Sequence, residues 1–137
     1  MDQTFRSLYI DDSELDRFYV QAIIKHNKLP IVPTFMENGI EALNYLKECA
    51  VENLPEIMFV DIHMPYLNGF EFVTSFNETF PEKIDKIPIF MLSSSFMGVD
   101  IEKIDEFSNI LGLIEKPFSK ELFERMALPC LKQAIVK

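Results

Sequence analysis

Acidic, hydroxyl and basic side chains occur in this chain directly after short apolar runs. Asp11 and Asp12 follow Ser7 to Ile10, Asp61 follows Ile57 to Val60, Ser93 and Ser94 follow Ile89 to Leu92, and Lys116 follows Leu113 to Glu115. If those runs are parallel strands, ligands bind beyond their carboxyl ends, and all of these residues gather at one rim. Carboxylates packed there repel, by roughly 4 kcal/mol for a pair about 4 Å apart at an effective dielectric near 20. A cation must offset them. Hard oxygen donors with open water positions suit Mg2+, Lys116 adds a compact positive charge, and the serine hydroxyls donate to anionic oxygens. A carboxylate is also a nucleophile toward phosphorus, and phosphoryl transfer needs a positioned nucleophile, a metal and donors for the equatorial oxygens. Read from the residues alone, this is an aspartyl-phosphate site.

No single piece carries that reading. Asp11-Asp12 alone is more readily a helix cap, Ser93-Ser94-Ser95 a polar loop, and Lys116-Pro117 says almost nothing. Asp61, set between Val60 and Ile62, is harder to dismiss because an acid after a buried strand has no obvious packing role. The conjunction is the signal.

The elements that must position these residues alternate between short β-rich runs and longer helical segments, which predicts an α/β fold with a parallel sheet. The expected strands are Ser7 to Ile10, Ile31 to Phe35, Ile57 to Val60, Ile89 to Leu92 and Leu113 to Glu115. Pro33 cannot donate to a ladder, so the second belongs at an edge. The first helix is expected after Ser13, with Asp16 completing a capping pattern and Leu15, Phe18, Ile23 and Ile24 as an apolar stripe. Ile40, Leu43, Tyr45 and Leu46 mark a second helix. Gly69 opens a third with Phe70, Phe72, Val73 and Phe76 inward. Val99, Ile101, Ile104, Phe107 and Ile110 mark a fourth, ended by Asn109 in a left-handed conformation. The last should start near Ser119 with Leu122, Phe123 and Met126 on the core, and kink or stop at Pro129.

With 137 residues, 48% hydrophobic and 26% charged, the chain reads as one packed domain over residues 1–137 with no output domain. Its net charge of −9 repels a phosphate backbone, so no direct nucleic-acid partner is expected. No apolar run approaches the roughly 20 residues that span a bilayer, and Met1-Asp2-Gln3-Thr4 lacks a signal-peptide plan. A cytoplasmic protein without a membrane partner is expected. Cys49 and Cys130 have no metal-ligand spacing and read as reduced thiols.

Over about residues 6–128 the sequence resembles a response-regulator receiver domain of a two-component system. The resemblance rests on Tyr9-Ile10-Asp11-Asp12, Glu37-Asn38-Gly39 before Glu41-Ala42-Leu43, Asp61-Ile62-His63-Met64-Pro65 with Gly69, Met91-Leu92-Ser93-Ser94, and Glu115-Lys116-Pro117-Phe118. It implies a flavodoxin-like sheet of five strands in order 2-1-3-4-5 with helices on both faces. Asp61 matches the phosphoacceptor, Asp12 a direct Mg2+ ligand, and Asp11 the acid that reaches the metal through water. His63 matches the position whose backbone carbonyl completes the metal shell. Ser93 matches the switch hydroxyl and Lys116 the lysine that pairs with the acyl phosphate. Leu113 departs from the family, which commonly carries Tyr or Phe there, and this puts the usual aromatic rotamer switch in doubt.

The implied function is a phosphoacceptor that takes its phosphoryl group from a histidine kinase or histidine phosphotransfer protein and presents a changed surface to a downstream protein. It is not an enzyme in its own right. One alternative is a receiver-like interaction module that works without phosphorylation; every site residue is present, which argues against it. A haloacid-dehalogenase-type phosphatase would carry an acid two residues after the nucleophile, where this chain has His63. An FMN protein of similar fold would need a Ser/Thr/Gly-rich phosphate loop after the first strand.

Overall fold

A computed structural model describes residues 3–95 and 98–136 of the chain. Five parallel strands form one sheet in the order β2-β1-β3-β4-β5, as expected. They are β1 (Phe5–Ile10), β2 (Ile31–Met36), β3 (Ile57–Asp61), β4 (Ile89–Ser93) and β5 (Ile110–Glu115). Between them run α1 (Glu14–His26), α2 (Gly39–Glu48), α3 (Gly69–Thr79) and α4 (Gly98–Ile104). β2 pairs only with β1, which leaves Pro33 on an edge.

Alternation along the strands divides the core between the two faces of the sheet. Leu8, Ile10, Met58 and Val60 pack with Phe72, Phe76 and Ala42 under α2 and α3. Tyr9, Phe59, Phe90 and Leu92 pack with Val20, Phe118 and Phe123 on the other side. Leu113 is half-buried against the first of these clusters.

Register fixes the rim. Ile10 lies beside Val60, Asp61 beside Leu92, and Ser93 beside Glu115. The strands therefore end level, and Asp11, Asp61, Ser93 and Lys116 emerge together. Asn68 caps α3 through a reciprocal bond pair with Glu71, and Gly69 then brings the helix against β3. A Cβ on Gly69 would sit 2.5 Å from the Asp61 carbonyl oxygen, so the approach requires glycine.

Four expectations need correction. The inner face of α1 is set by Val20 and Ile24, and at 3.6 residues per turn Leu15 and Phe18 fall on its far side, 76% and 69% exposed. On α2, Ala42 and Leu46 face inward while Ile40 is exposed. The fourth helix ends at Ile104, and Ile110 opens β5, where a bulge opposite Ile89 and Phe90 breaks the alternation that marks a strand. Asn109 is not left-handed; it is buried and exchanges two amide hydrogen bonds with Asn77. Val99's side chain lies outside the described residues.

The chain also does not stop at Pro129. From the Ser119 cap, α5 (Lys120–Leu122) passes through a π-helical turn (Phe123–Ala127) into α6 (Leu128–Val136). In that turn Leu128 N–H donates to Phe123 O, and the wider spacing accommodates a proline whose ring clashes with an ordinary helical carbonyl. Phe123, Ala127 and Leu131 face inward, Leu122 and Met126 are half-buried, and the side chains of Ala134 and Ile135 lie outside the described residues.

Candidate phosphoacceptor site

The β1–α1 junction is tied down locally. Ser13 Oγ accepts the Asp16 N–H, Ser13 N–H donates to Asp11 Oδ1 at 3.0 Å, and the Arg17 guanidinium donates to the Asp11 backbone carbonyl. Asp11 is thereby held under the first turn of α1, fully buried, while Asp12 faces solvent.

Asp61 lies beside them, 5% exposed, and accepts the His63 N–H at 3.3 Å on Oδ1. Carboxylate oxygens of Asp11, Asp12 and Asp61 all lie within 4.8 Å of one another. The Lys116 ammonium reaches into the group from the end of β5, 2.8 Å from Asp11 Oδ2 and 3.3 Å from Asp61 Oδ2. The Lys116-Pro117 peptide is cis.

Burial pushes the Asp61 carboxyl up to about 7, with the Asp11 charge adding to the effect and Lys116 pulling against it. Burial works against the Lys116 charge, but the hydrogen bonds to Asp11 and Asp16 and the charges of Asp61 and Asp11 outweigh it, so the ammonium is held above its ordinary pKa. The Tyr9 phenol, buried beside Asp11, is raised well above its usual range and stays protonated.

The Ser93 hydroxyl, expected to donate to an anionic oxygen, is engaged locally here. Its Oγ donates to the Ser95 carbonyl and accepts the Ser95 N–H at 3.2 Å. The His63 side chain is exposed, and its backbone N–H is the group engaged with Asp61.

Each residue singled out at a strand end is thus placed at one rim, where Asp11, Asp12 and Asp61 are in mutual reach and Lys116 pairs with Asp11 and Asp61. One member was missed. Asp16, read as a capping residue, caps with its backbone and sends its carboxylate to Lys116 at 2.9 Å. Its spacing of four and eight residues from Val20 and Ile24 puts it on the inner face of α1, and that was the available signal.

The residues fit a hard divalent cation. Three clustered carboxylates supply oxygen donors, and one lysine ammonium leaves them with excess negative charge.

A family model for the response regulator receiver domain matches residues 8–127. The sensory transduction protein LytT of Oceanobacillus iheyensis is 32% identical over 114 residues, 83% of this chain and 43% of that protein. The sensor histidine kinase CheAY of Helicobacter pylori is 31% identical over 116 residues, 83% of this chain and 13% of that protein. The chain spans less than half the length of either relative. A two-component response regulator from Cytophaga hutchinsonii has the same fold, with a TM-score of 0.83 at 27% identity over 98% of both chains. The chemotaxis protein CheY4 of Vibrio cholerae shares the fold with a TM-score of 0.73 at 23% identity, covering 89% of this chain and 94% of that one.

Proposed function

The chain belongs to the response regulator receiver domain family of two-component signalling, and from that premise we propose that Asp61 accepts a phosphoryl group from a phosphohistidine with a bound Mg2+. The observation that carries this is the meeting of Asp61 with Asp11, Asp12 and Lys116 in one acidic pocket at the strand ends.

Asp12 would hold the metal directly, Asp11 through water, and Asp61 and the His63 carbonyl would complete the protein's share. Bound there, Mg2+ neutralises charge on the incoming phosphoryl oxygens. An Asp61 oxygen attacks phosphorus in line, the N–P bond breaks, and its electron pair stays on the donor imidazole. Lys116 then pairs with the new phosphoryl group. Ser93 leaves Ser95 to donate its hydroxyl to a phosphoryl oxygen, and the loop that follows moves with it. The moved loop is the output read by a downstream protein.

Asp61 acts as an acceptor and not as the nucleophile of a turnover phosphatase, because His63 stands where such an enzyme carries its second acid. The charge of −9 argues against a direct nucleic-acid partner. No described helix is long and apolar enough to cross a membrane, and we place the protein in the cytoplasm beside its kinase. Incubation with a histidine kinase carrying radiolabelled phosphate tests the reading. Label should move to the wild-type chain and not to Asp61→Asn; label on the mutant would overturn it.

A further inference from the structure

The Lys116 ammonium has a third carboxylate partner that the phosphoacceptor chemistry does not use. Asp16 Oδ2 lies 2.9 Å from Nζ, closer than Asp61 Oδ2 at 3.3 Å. Its backbone N–H alone serves the Ser13 cap, so the carboxylate is left free of the cap's hydrogen bonds. The Asp16 side chain is 40% exposed, whereas that of Asp11 is fully buried and that of Asp61 is 7% exposed. Of the three ion pairs, the one with Asp16 is the most screened by solvent and costs least to break. A cavity of about 20 Å3, about the room of one water, lies between Tyr9, Asp16, Lys116 and Phe118 beside this pair.

We propose that Asp16 is a positioning residue that competes with the acyl phosphate for Lys116: it tethers the ammonium in the resting state and gives it up when Asp61 is phosphorylated. This rests on Asp61 being the acceptor. A phosphoryl group carries more charge than the carboxylate it replaces and extends beyond it, so Lys116 is drawn from its weakest partner. Two consequences follow. Part of the attraction between Lys116 and the phosphoryl group is spent on releasing Asp16, so Asp16 weakens the hold on phosphate. The release also frees a side chain on the first turn of α1, which makes that turn a second reporter of phosphorylation beside the Ser93 loop.

The test is beryllofluoride binding with excess Mg2+, the fluoride complex standing in for the phosphoryl group. Asp16→Asn should bind it about two- to fivefold more tightly than wild type, the factor associated with losing one partly exposed ion pair. Asp16→Glu should return close to wild type. Glu14→Gln removes a charge from the same helical turn without touching Lys116, and should change nothing. In wild type, amide shifts of residues 14–18 should accompany binding, and Asp16→Asn should lose them. The sign separates tethering from a structural role, because damage to the fold weakens binding. Asp16→Ser serves as a second variant if the asparagine protein folds poorly. Unchanged or weaker binding by folded Asp16 variants overturns the inference while leaving the acceptor reading intact. Failure of wild type to bind beryllofluoride at all overturns both.

Discussion

Gly69 approaches Asp61 so closely that a Cβ added to it would lie 2.5 Å from the Asp61 carbonyl oxygen and 2.9 Å from Ile62 Cα. These two obstructing atoms are backbone, which has little freedom to withdraw without moving Asp61 itself, whereas the third, Met91 Cε at 2.7 Å, ends a flexible side chain. Gly69→Ala should therefore destabilise the fold by about 2 kcal/mol or more. Removing the neighbouring cap with Asn68→Ala should cost about 1 kcal/mol. Urea denaturation of the two variants measures this, and an unchanged midpoint for Gly69→Ala would contradict the packing described.

The position of Asp61 also predicts a pH dependence. Its carboxyl is raised from 3.8 to about 7, first by burial and then by Asp11, against Lys116 and the His63 N–H. Between those values the folded state keeps a proton that the unfolded chain has released. Stability must then fall as pH rises through that window, by at most about 1.4 kcal/mol per pH unit, and level off above it. Thermal melts in EDTA should show this slope for wild type and a smaller one for Asp61→Asn. Equal slopes would mean that Asp61 titrates normally.

Mg2+ should offset the same repulsion. Its stabilising effect should grow from pH 6 to pH 8 as Asp61 loses its proton, and Asp12→Ala should abolish it, since a ligand that binds only the folded state stabilises by mass action. Coincident melts of wild type with and without excess Mg2+ at pH 8 would remove the metal site.

Much of this was legible in the sequence because parallel strands turn order into position. An acid after one apolar run and a lysine after another must meet if both runs end level, and the register of Ile10, Asp61 and Ser93 makes them do so. What was not legible depends on contacts distant in the chain. Asp16 meets Lys116 across 100 residues. Ile104, Phe107 and Ile110 keep helical spacing although the chain turns after Ile104, and the bulge in β5 hides the strand's own period. At Pro129 the local rule for a break was sound, but the preceding π-helical turn accommodates the ring. The outward face of α1 was misread because Leu15 and Phe18 are apolar and were assigned to the core.

That outward face makes its own prediction. Leu15, Phe18 and Tyr19 are exposed on the helix that begins at the rim, so under the proposed function they lie where a donor protein would approach Asp61. Leu15→Ala with Phe18→Ala should slow transfer from a histidine kinase by about tenfold while leaving acetyl phosphate labelling unchanged. Equal slowing with both donors would point to damage at the site and not to lost docking.

Under the proposed function the Ser93 hydroxyl exchanges its Ser95 partner for a phosphoryl oxygen. On adding beryllofluoride and Mg2+, amide shifts should be large at Ser94, Ser95 and α4 and small at Leu113, which sits half-buried against the core and has no polar tip to turn outward. Shifts confined to β5, with residues 94 to 104 unmoved, would contradict this.

Intact-mass spectrometry after incubation with acetyl phosphate is the most direct test of Asp61 as the acceptor. With Mg2+ the wild-type chain should gain one phosphoryl group, and it should gain none in EDTA. Asp61→Asn should gain none in either condition. A phosphoryl group on the mutant, at the wild-type rate, would place the acceptor elsewhere and end the account.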